Sequence, residues 1–339
     1  MRFALVAIVA GTLLAGEDTG ETRFSLSVAN EASAPVGGQV EMARASDLLL
    51  IQPSFSYRDG QRWRVVTSFA AIGSAGDTES ARLRVKEAWA GVTLGDFDLT
   101  AGKKILKWGT GYAFTPTGVL DPARDPSDPT DRLGLNQGRE MVAGDWIHGR
   151  HAITAAFATA GLVERHRAGM RETAALRYNT LAEGFDTALV YAHDRGRSDF
   201  FGANFTRVFG DALELHGELA HRDRTAVLVG GKYMFPGGVS TIAEFYSPEA
   251  PRKGRYVYAS VGKSRLRELP GWKHWDVSVA LLANTTDRSR IGILDVTRRL
   301  GDRVSLTLRA ETPGGKRWRS EYGMIPYSAL LSIGFRYQI

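Results

Sequence analysis

The sequence predicts an all-β fold: a transmembrane antiparallel up-and-down β-barrel of about eighteen strands, with sixteen as the alternative count. Two observations carry this. Apolar and polar residues alternate with period two through about eighteen segments, each near the ~10 residues a tilted membrane strand needs. The connections also sort by parity, mostly short after even-numbered segments and often longer and more charged after odd-numbered ones.

The chain opens on Met1-Arg2-Phe3 and the apolar run ALVAIVAGTLLAG, Ala4–Gly16. That run is too short to span a bilayer as a helix. It has the length and basic flank of a secretory signal peptide. Residues 1–16 are therefore read as a signal and 17–339 as a single barrel. Leu13 and Leu14 stand where small residues precede a cut, so cleavage is expected near Ala15 or Gly16. The chain has no Cys, which excludes a lipoprotein anchor, disulfides and thiolate metal sites. No later stretch reaches ~18 apolar residues, so no membrane helix is expected.

The predicted strands run over 22–31, 47–57, 61–73, 81–94, 97–106, 139–148, 150–160, 170–180, 184–194, 198–209, 211–222, 225–235, 238–247, 255–264, 273–284, 289–298, 302–312 and 327–339. The last is the clearest: Leu331, Ile333, Phe335, Tyr337 and Ile339 share one face, and Ser332, Gly334, Arg336 and Gln338 the other. Leu213-Leu215-Gly217-Leu219 against Glu214-His216-Glu218 repeats the pattern. The fourth segment breaks its period around Lys86-Glu87, as a bulge would. Short turns include Arg58-Asp59-Gly60, Gly95-Asp96, Gly149 and Gly210; longer connections include Ala32–Ser46, Lys107–Gly138 and Pro313–Pro326. Lipid cannot hydrogen-bond a free backbone, so a membrane sheet must close on itself. An even strand number puts both chain ends on the short-turn, periplasmic side. Trp63, Phe97, Phe185, Trp275, Phe335 and Tyr337 fall near strand ends on the apolar face, as girdle residues.

On these residues the chain resembles Gram-negative outer-membrane porin-type β-barrels. The N-terminal signal, the terminal LLSIGFRYQI strand and the parity of the loops carry the resemblance. It implies that barrel-assembly machinery recognises the C-terminal strand, although this one ends in Ile339 rather than Phe. GDFDLTAGKKILKWGTGYAFTPTGVLDP is similar to a hairpin-plus-loop of some poorly characterised porin-like barrels, in which a basic residue and a Trp-Gly precede a Pro/Asp-rich loop. By this resemblance residues 107–138, the third extracellular loop, fold inward and narrow the barrel. Its candidate constriction residues are Trp108, Asp121, Arg124, Asp125, Asp128, Asp131 and Arg132, stiffened by Pro116, Pro122, Pro126 and Pro129.

Alternation assigns the lumen. Its basic side carries Arg23, Arg62, Arg64, Arg82, Arg84 and Lys86 on the first, third and fourth strands, and Arg309 and Arg336 on the last two. Barrel closure brings these into one sector. Acids lie elsewhere: Glu214, Glu218, Glu244 and Asp276. Opposed signs across a lumen would orient dipolar and anionic solutes. Paired charges that merely fill a polar lumen are the other reading, and Glu311 interrupts the basic row after Arg309.

Other classes are excluded or unsupported. No G-x-S-x-G, H-E-x-x-H, Walker or dinucleotide motif occurs, so the chain is read as no enzyme and without cofactor. Asp121, Asp125 and Asp128 are each followed by Pro, incompatible with the EF-hand spacing, so no metal is assigned. Net charge is +6, but no nucleic-acid-binding module accompanies it. Basic loops (Arg165-His166-Arg167, Arg222-Asp223-Arg224, Arg252-Lys253, Lys316-Arg317-Trp318-Arg319) suit lipopolysaccharide phosphates. The expected partners are outer-membrane lipid, lipopolysaccharide, the assembly machinery and small-molecule solutes. The expected function is a porin-like channel for passive diffusion of small hydrophilic, anionic or dipolar solutes. The alternative is a plugged or substrate-dedicated barrel for export or envelope interaction.

Overall fold

The computed structural model describes residues 20–38, 45–60, 62–75, 80–161, 171–249, 254–266 and 271–339. The expected signal peptide, Arg165-His166-Arg167 and Arg252-Lys253 lie outside the described residues. Eighteen strands follow one another: β1 Glu21–Val36, β2 Ser46–Asp59, β3 Trp63–Ala75, β4 Ser80–Leu94, β5 Phe97–Lys104, β6 Arg139–His148, β7 His151–Ala158, β8 Thr173–Ala182, β9 Phe185–Asp194, β10 Phe200–Phe209, β11 Leu213–His221, β12 Thr225–Met234, β13 Val239–Ser247, β14 Tyr256–Lys263, β15 Trp275–Asn284, β16 Ser289–Arg299, β17 Val304–Gly314 and β18 Ala329–Gln338. All eighteen expected segments are strands.

Each strand pairs antiparallel with its neighbours in sequence, and β1 pairs with both β2 and β18. Ser27 opposite Gln338 through Val36 opposite Ala329 closes the cylinder without an edge. Closure satisfies every strand's backbone inside the sheet, as lipid requires. Between Ser68 and Phe69 the β3–β4 register shifts: Ser68 faces Glu87 and Phe69 faces Val85, leaving Lys86 as the extra residue. This bulge is the period break seen in the sequence.

Large apolar side chains are exposed at alternate strand positions: Leu189 and Tyr191 on β9, Leu215 and Leu219 on β11, Leu331, Ile333 and Phe335 on β18. They form the lipid face. Buried side chains line the inside instead, and many of the apolar ones fall into two clusters. One joins Trp108 and Leu120 to Met141, Ala143, Ala156, Ala158, Ala175, Val190, Ala192, Phe200, Ala220 and Ala226. The other joins Ala113 to Tyr258, Leu282, Ile291 and Ile293. Trp108, Ala113 and Leu120 belong to the β5–β6 connection, so the packed core of this barrel lies between that connection and the inner wall.

Candidate functional site: an inward loop on buried carboxylates

Residues 105–138 leave β5, travel around the inside of the barrel and return to β6. The path is fixed by hydrogen bonds to successive strands. Ile105 N donates to Glu87 on β4 at 3.1 Å. Asn204 on β10 donates from Nδ2 to Trp108 O and Thr117 Oγ1 at 3.1 and 2.8 Å. Glu218 on β11 accepts the backbone N–H of Thr110, Gly111 and Thr117 at 2.6, 2.7 and 2.8 Å. It also accepts both threonine hydroxyls, at 3.2 and 2.6 Å. Glu244 on β13 accepts Tyr112 N and Ala113 N at 2.5 and 2.8 Å. Tyr112 Oη donates to Glu214 at 3.1 Å. The chain then passes Phe114 against Tyr246 and Tyr256, with ring centroids 4.5 and 5.5 Å away.

The second half crosses to the other wall. Arg309 on β17 donates to Ser127 O at 2.7 Å. Arg132 pairs with Glu31 on β1, and Arg336 on β18 donates to Arg132 O. Gln52 on β2 donates to Leu133 O and Gly134 O at 3.0 and 2.9 Å. Gly138 N donates to Lys86 O at 2.9 Å. The segment thus engages both walls of the cylinder.

Two glycines permit the close approaches. A Cβ on Gly111 would lie 2.0 Å from Phe114 O and 2.4 Å from Leu228. A Cβ on Gly230, on β12 between the two anchoring acids, would meet His216 Nε2 at 2.5 Å and Glu244 Cγ at 2.7 Å. His216 is fully buried there, Nε2 to Glu244 at 2.9 Å and Nδ1 to Glu214 at 3.6 Å.

The acids therefore differ from the bare wall that alternation alone suggests. Glu214, Glu218 and Glu244 do face inward, but the loop covers Glu218 and Glu244, which are 3% exposed. Their charge serves backbone N–H groups rather than the lumen. Asp276 lies at the short-turn end, accepting Arg299 at 2.7 Å and Arg265 N at 2.8 Å.

The repeated aspartates hold the loop's own turns. Asp125 accepts Ser127 N at 2.9 Å, Asp128 accepts Arg132 N at 3.1 Å, and Asp131 accepts Leu135 N and Asn136 N at 2.7 and 2.9 Å. Such side-chain turns are the usual use of Asp in irregular chain. Among the described residues no group of three or more potential ligands could hold a metal. Asp121 accepts Trp108 N and Gly109 N at 2.7 and 3.2 Å, and burial pushes its carboxyl up to about 6. Arg124 donates to Gly111 O and Tyr112 O at 2.6 and 2.5 Å, tying the two halves of the loop together.

The basic residues have unequal fates. Arg23 pairs with Glu21 at the short-turn rim, and Arg62 sits in the β2–β3 turn rather than on the strand. Arg64 is taken by Asp98. Arg309 is 6% exposed, between Asp295 at 2.8 Å and Glu311 at 2.6 Å. Arg82, Arg84 and Lys86 share the inward face of β4 and have no ion-pair partner among the described residues. Successive same-face positions on a strand are about 7 Å apart. These three cations therefore step from the long-loop end down to the level of the loop.

Sequence reasoning missed Glu31, Gln52, Asn204 and His216 as loop partners. It also missed the apolar inner wall of β6–β9. A signal was present: Ala156, Ala158, Ala175, Ala188 and Ala192 occupy inward positions where a water-filled lumen calls for polar side chains. Small apolar residues there leave room for Trp108 and Leu120.

No protein-family model and no curated protein matches the chain. Solved structures do. The Pseudomonas aeruginosa protein OccK5 (OpdH) is 8% identical, with a TM-score of 0.66 over 94% of this chain and 98% of that one. OccK11 (OpdR) of the same organism is 14% identical, TM-score 0.61, over 94% and 96%. The fold is the outer-membrane porin barrel. The same architecture is shared by Wzi of Escherichia coli, an outer-membrane protein involved in group 1 capsule assembly and a carbohydrate-binding β-barrel, at 11% identity, TM-score 0.61, over 98% and 87%.

Proposed function

We propose that this protein is an outer-membrane channel for passive diffusion of small hydrophilic solutes, with a preference for anionic or dipolar ones. The observation that carries the reading is the inward loop beside an unpaired cationic row: residues 105–138 narrow the cylinder, while Arg82, Arg84 and Lys86 keep their charge for the lumen. Barrels of this size otherwise leave an aqueous passage. β1 begins and β18 ends at the short-turn end, which in outer-membrane barrels is periplasmic. A solute from outside would meet Arg82 first, then Arg84, then Lys86 at the constriction. In a low-dielectric channel such a row raises the local anion concentration. Glu218 and Glu244, the acids on the opposite wall, are occupied by loop N–H groups, which leaves the row on β4 less opposed.

Planar-bilayer reversal potentials under a salt gradient test this. Wild type should be anion-selective, and R82E/R84E should move the reversal potential toward the cation side. Cation selectivity of the wild type, or no shift in the variant, would remove the proposed preference.

A plugged, dedicated barrel is the second reading, favoured by one observation: the loop is packed on apolar wall and anchored on two buried carboxylates, as a permanent stopper would be. Its likeness to Wzi makes sugar binding a second activity to assay if conductance is absent.

A further inference from the structure

The long-loop rim is unevenly charged. Over β8–β11 acids stand among the arginines: Arg195 pairs with Glu172 at 3.1 Å and Arg222 with Asp194 at 2.7 Å, with Asp199 and Asp223 nearby, while Arg171, Arg197 and Arg224 have no ion-pair partner among the described residues. The rim over β14–β17 differs. Arg255, Arg288, Arg290, Lys316, Arg317 and Arg319 are all exposed, and none has an ion-pair partner among the described residues. Hydrogen bonds knit their three connections into one surface. Arg255 N donates to Thr286 Oγ1 at 3.0 Å, and Thr285 N donates to Arg255 O at 2.7 Å. Glu321 N donates to Asp287 Oδ2 at 2.6 Å, Tyr322 N donates to Ser289 Oγ at 3.3 Å, and Arg290 stands opposite Gly314.

The two acids on this surface are turned to neutral donors. Asp287 accepts Ser289 N and Oγ at 2.9 and 2.6 Å, and Glu321 accepts Tyr256 Oη and Asn284 Nδ2 at 2.9 and 2.8 Å. Trp318, 48% exposed, stands between Arg317 and Arg319. Directly below, the outward wall presents Leu281, Leu294, Leu308 and Leu331.

We propose that this rim binds the phosphorylated glycolipid of the outer leaflet, its phosphates on the arginine cluster and its acyl chains on the leucine wall. The inference rests on the outer-membrane reading above, which sets this rim at the outer leaflet. Guanidinium groups match phosphate geometry in two-point hydrogen bonds, and an indole between them suits the boundary of sugar and acyl chain. The rim over β8–β11, where Glu172, Asp194, Asp199 and Asp223 stand among the arginines, offers a weaker match. A cation near an anionic surface contributes about 1 kcal/mol each, so removing three should weaken binding on the order of 100-fold.

The test uses the full folded barrel in neutral detergent, titrated with bis-phosphorylated lipid A, the same lipid without phosphates, phosphatidylglycerol, and inorganic phosphate. Trp318 fluorescence and the heat-modifiability midpoint are the readouts. Bis-phosphorylated lipid A should shift both. The dephosphorylated lipid, phosphatidylglycerol and inorganic phosphate should act at least tenfold more weakly. R255S/R290S/R317S should lose the lipid A response, while R195S/R222S, at the ion-paired positions over β8–β11, keeps it. Equal response to phosphatidylglycerol, or an unchanged response in the triple variant, would overturn the proposal. Bilayer conductance of the same triple variant keeps the two readings separable, since its channel should match wild type. A barrel that binds lipid A but never conducts would count against the channel alone.

Discussion

Glu218 is the residue on which the loop most depends. One buried carboxylate accepts three N–H groups and two hydroxyls from residues 110–117. Hydrogen bonds to an ionised acceptor contribute about 1.5–3 kcal/mol each, and donors left unpaired in a buried site cost more than they would gain in water. E218Q keeps the shape but replaces one acceptor oxygen with a donor. We expect it to loosen the 110–117 segment by roughly 2–5 kcal/mol. Limited proteolysis of the folded barrel checks this: the variant should be cut within the loop under conditions that leave wild type whole.

Asp121 behaves differently because burial raises its carboxyl to about 6 from an ordinary 3.8. A carboxyl shifted upward favours the folded state when protonated. That contribution is complete below about pH 4 and is lost as pH rises through about 6. D121N removes the titration. The midpoint of the variant relative to wild type should therefore climb between pH 4 and pH 6 and be flat outside that window. Parallel melting curves across that range would show that Asp121 is not buried as described.

At the scale of elements, β11, β12 and β13 act as one unit, since Glu218, His216 and Glu244 come from the outer two strands and Gly230 on the middle strand leaves them room. G230A puts a methyl 2.5 Å from His216 Nε2 and 2.8 Å from Ala243 O. It should separate His216 from Glu244 and release Tyr112 and Ala113, raising open-channel current noise while leaving the barrel folded. Noise equal to wild type would mean that the His216–Glu244 contact does not support the loop.

The strands themselves were legible in the sequence because lipid on one side and water on the other impose period two. The Lys86 bulge was legible for the same reason, as a break in that period. The route of the loop was not. Glu218 and Glu244 look like any lumenal acids in sequence, and only tertiary closure brings Thr110 and Tyr112 across the barrel to them. The alanines of β7–β9 carried a readable hint, since apolar residues on both faces of a strand mean that both faces are packed. Arg309 shows the limit from the other side: it lies inward, where Asp295, Glu311 and Ser127 O leave it almost no exposure.

For the whole molecule, closure and constriction are one design. The cylinder has no edge, its inner wall meets the loop with small apolar side chains on β6–β9 and with carboxylates on β11 and β13, and its unpaired cations sit on β4 on the inward face. The aromatic residues Trp63, Phe97 and Phe335 stand exposed on the outer face, in keeping with a girdle at the lipid boundary. In the proposed channel, with lipid outside, loop inside and cations at the opening, residues 105–138 would set the bore. Single-channel conductance of wild type against a variant lacking Pro116–Pro129 tests this most directly. A small, steady, anion-selective wild-type conductance that grows severalfold and loses size exclusion in the deletion variant is the predicted result. Equal conductance and equal size exclusion in the two proteins would contradict it.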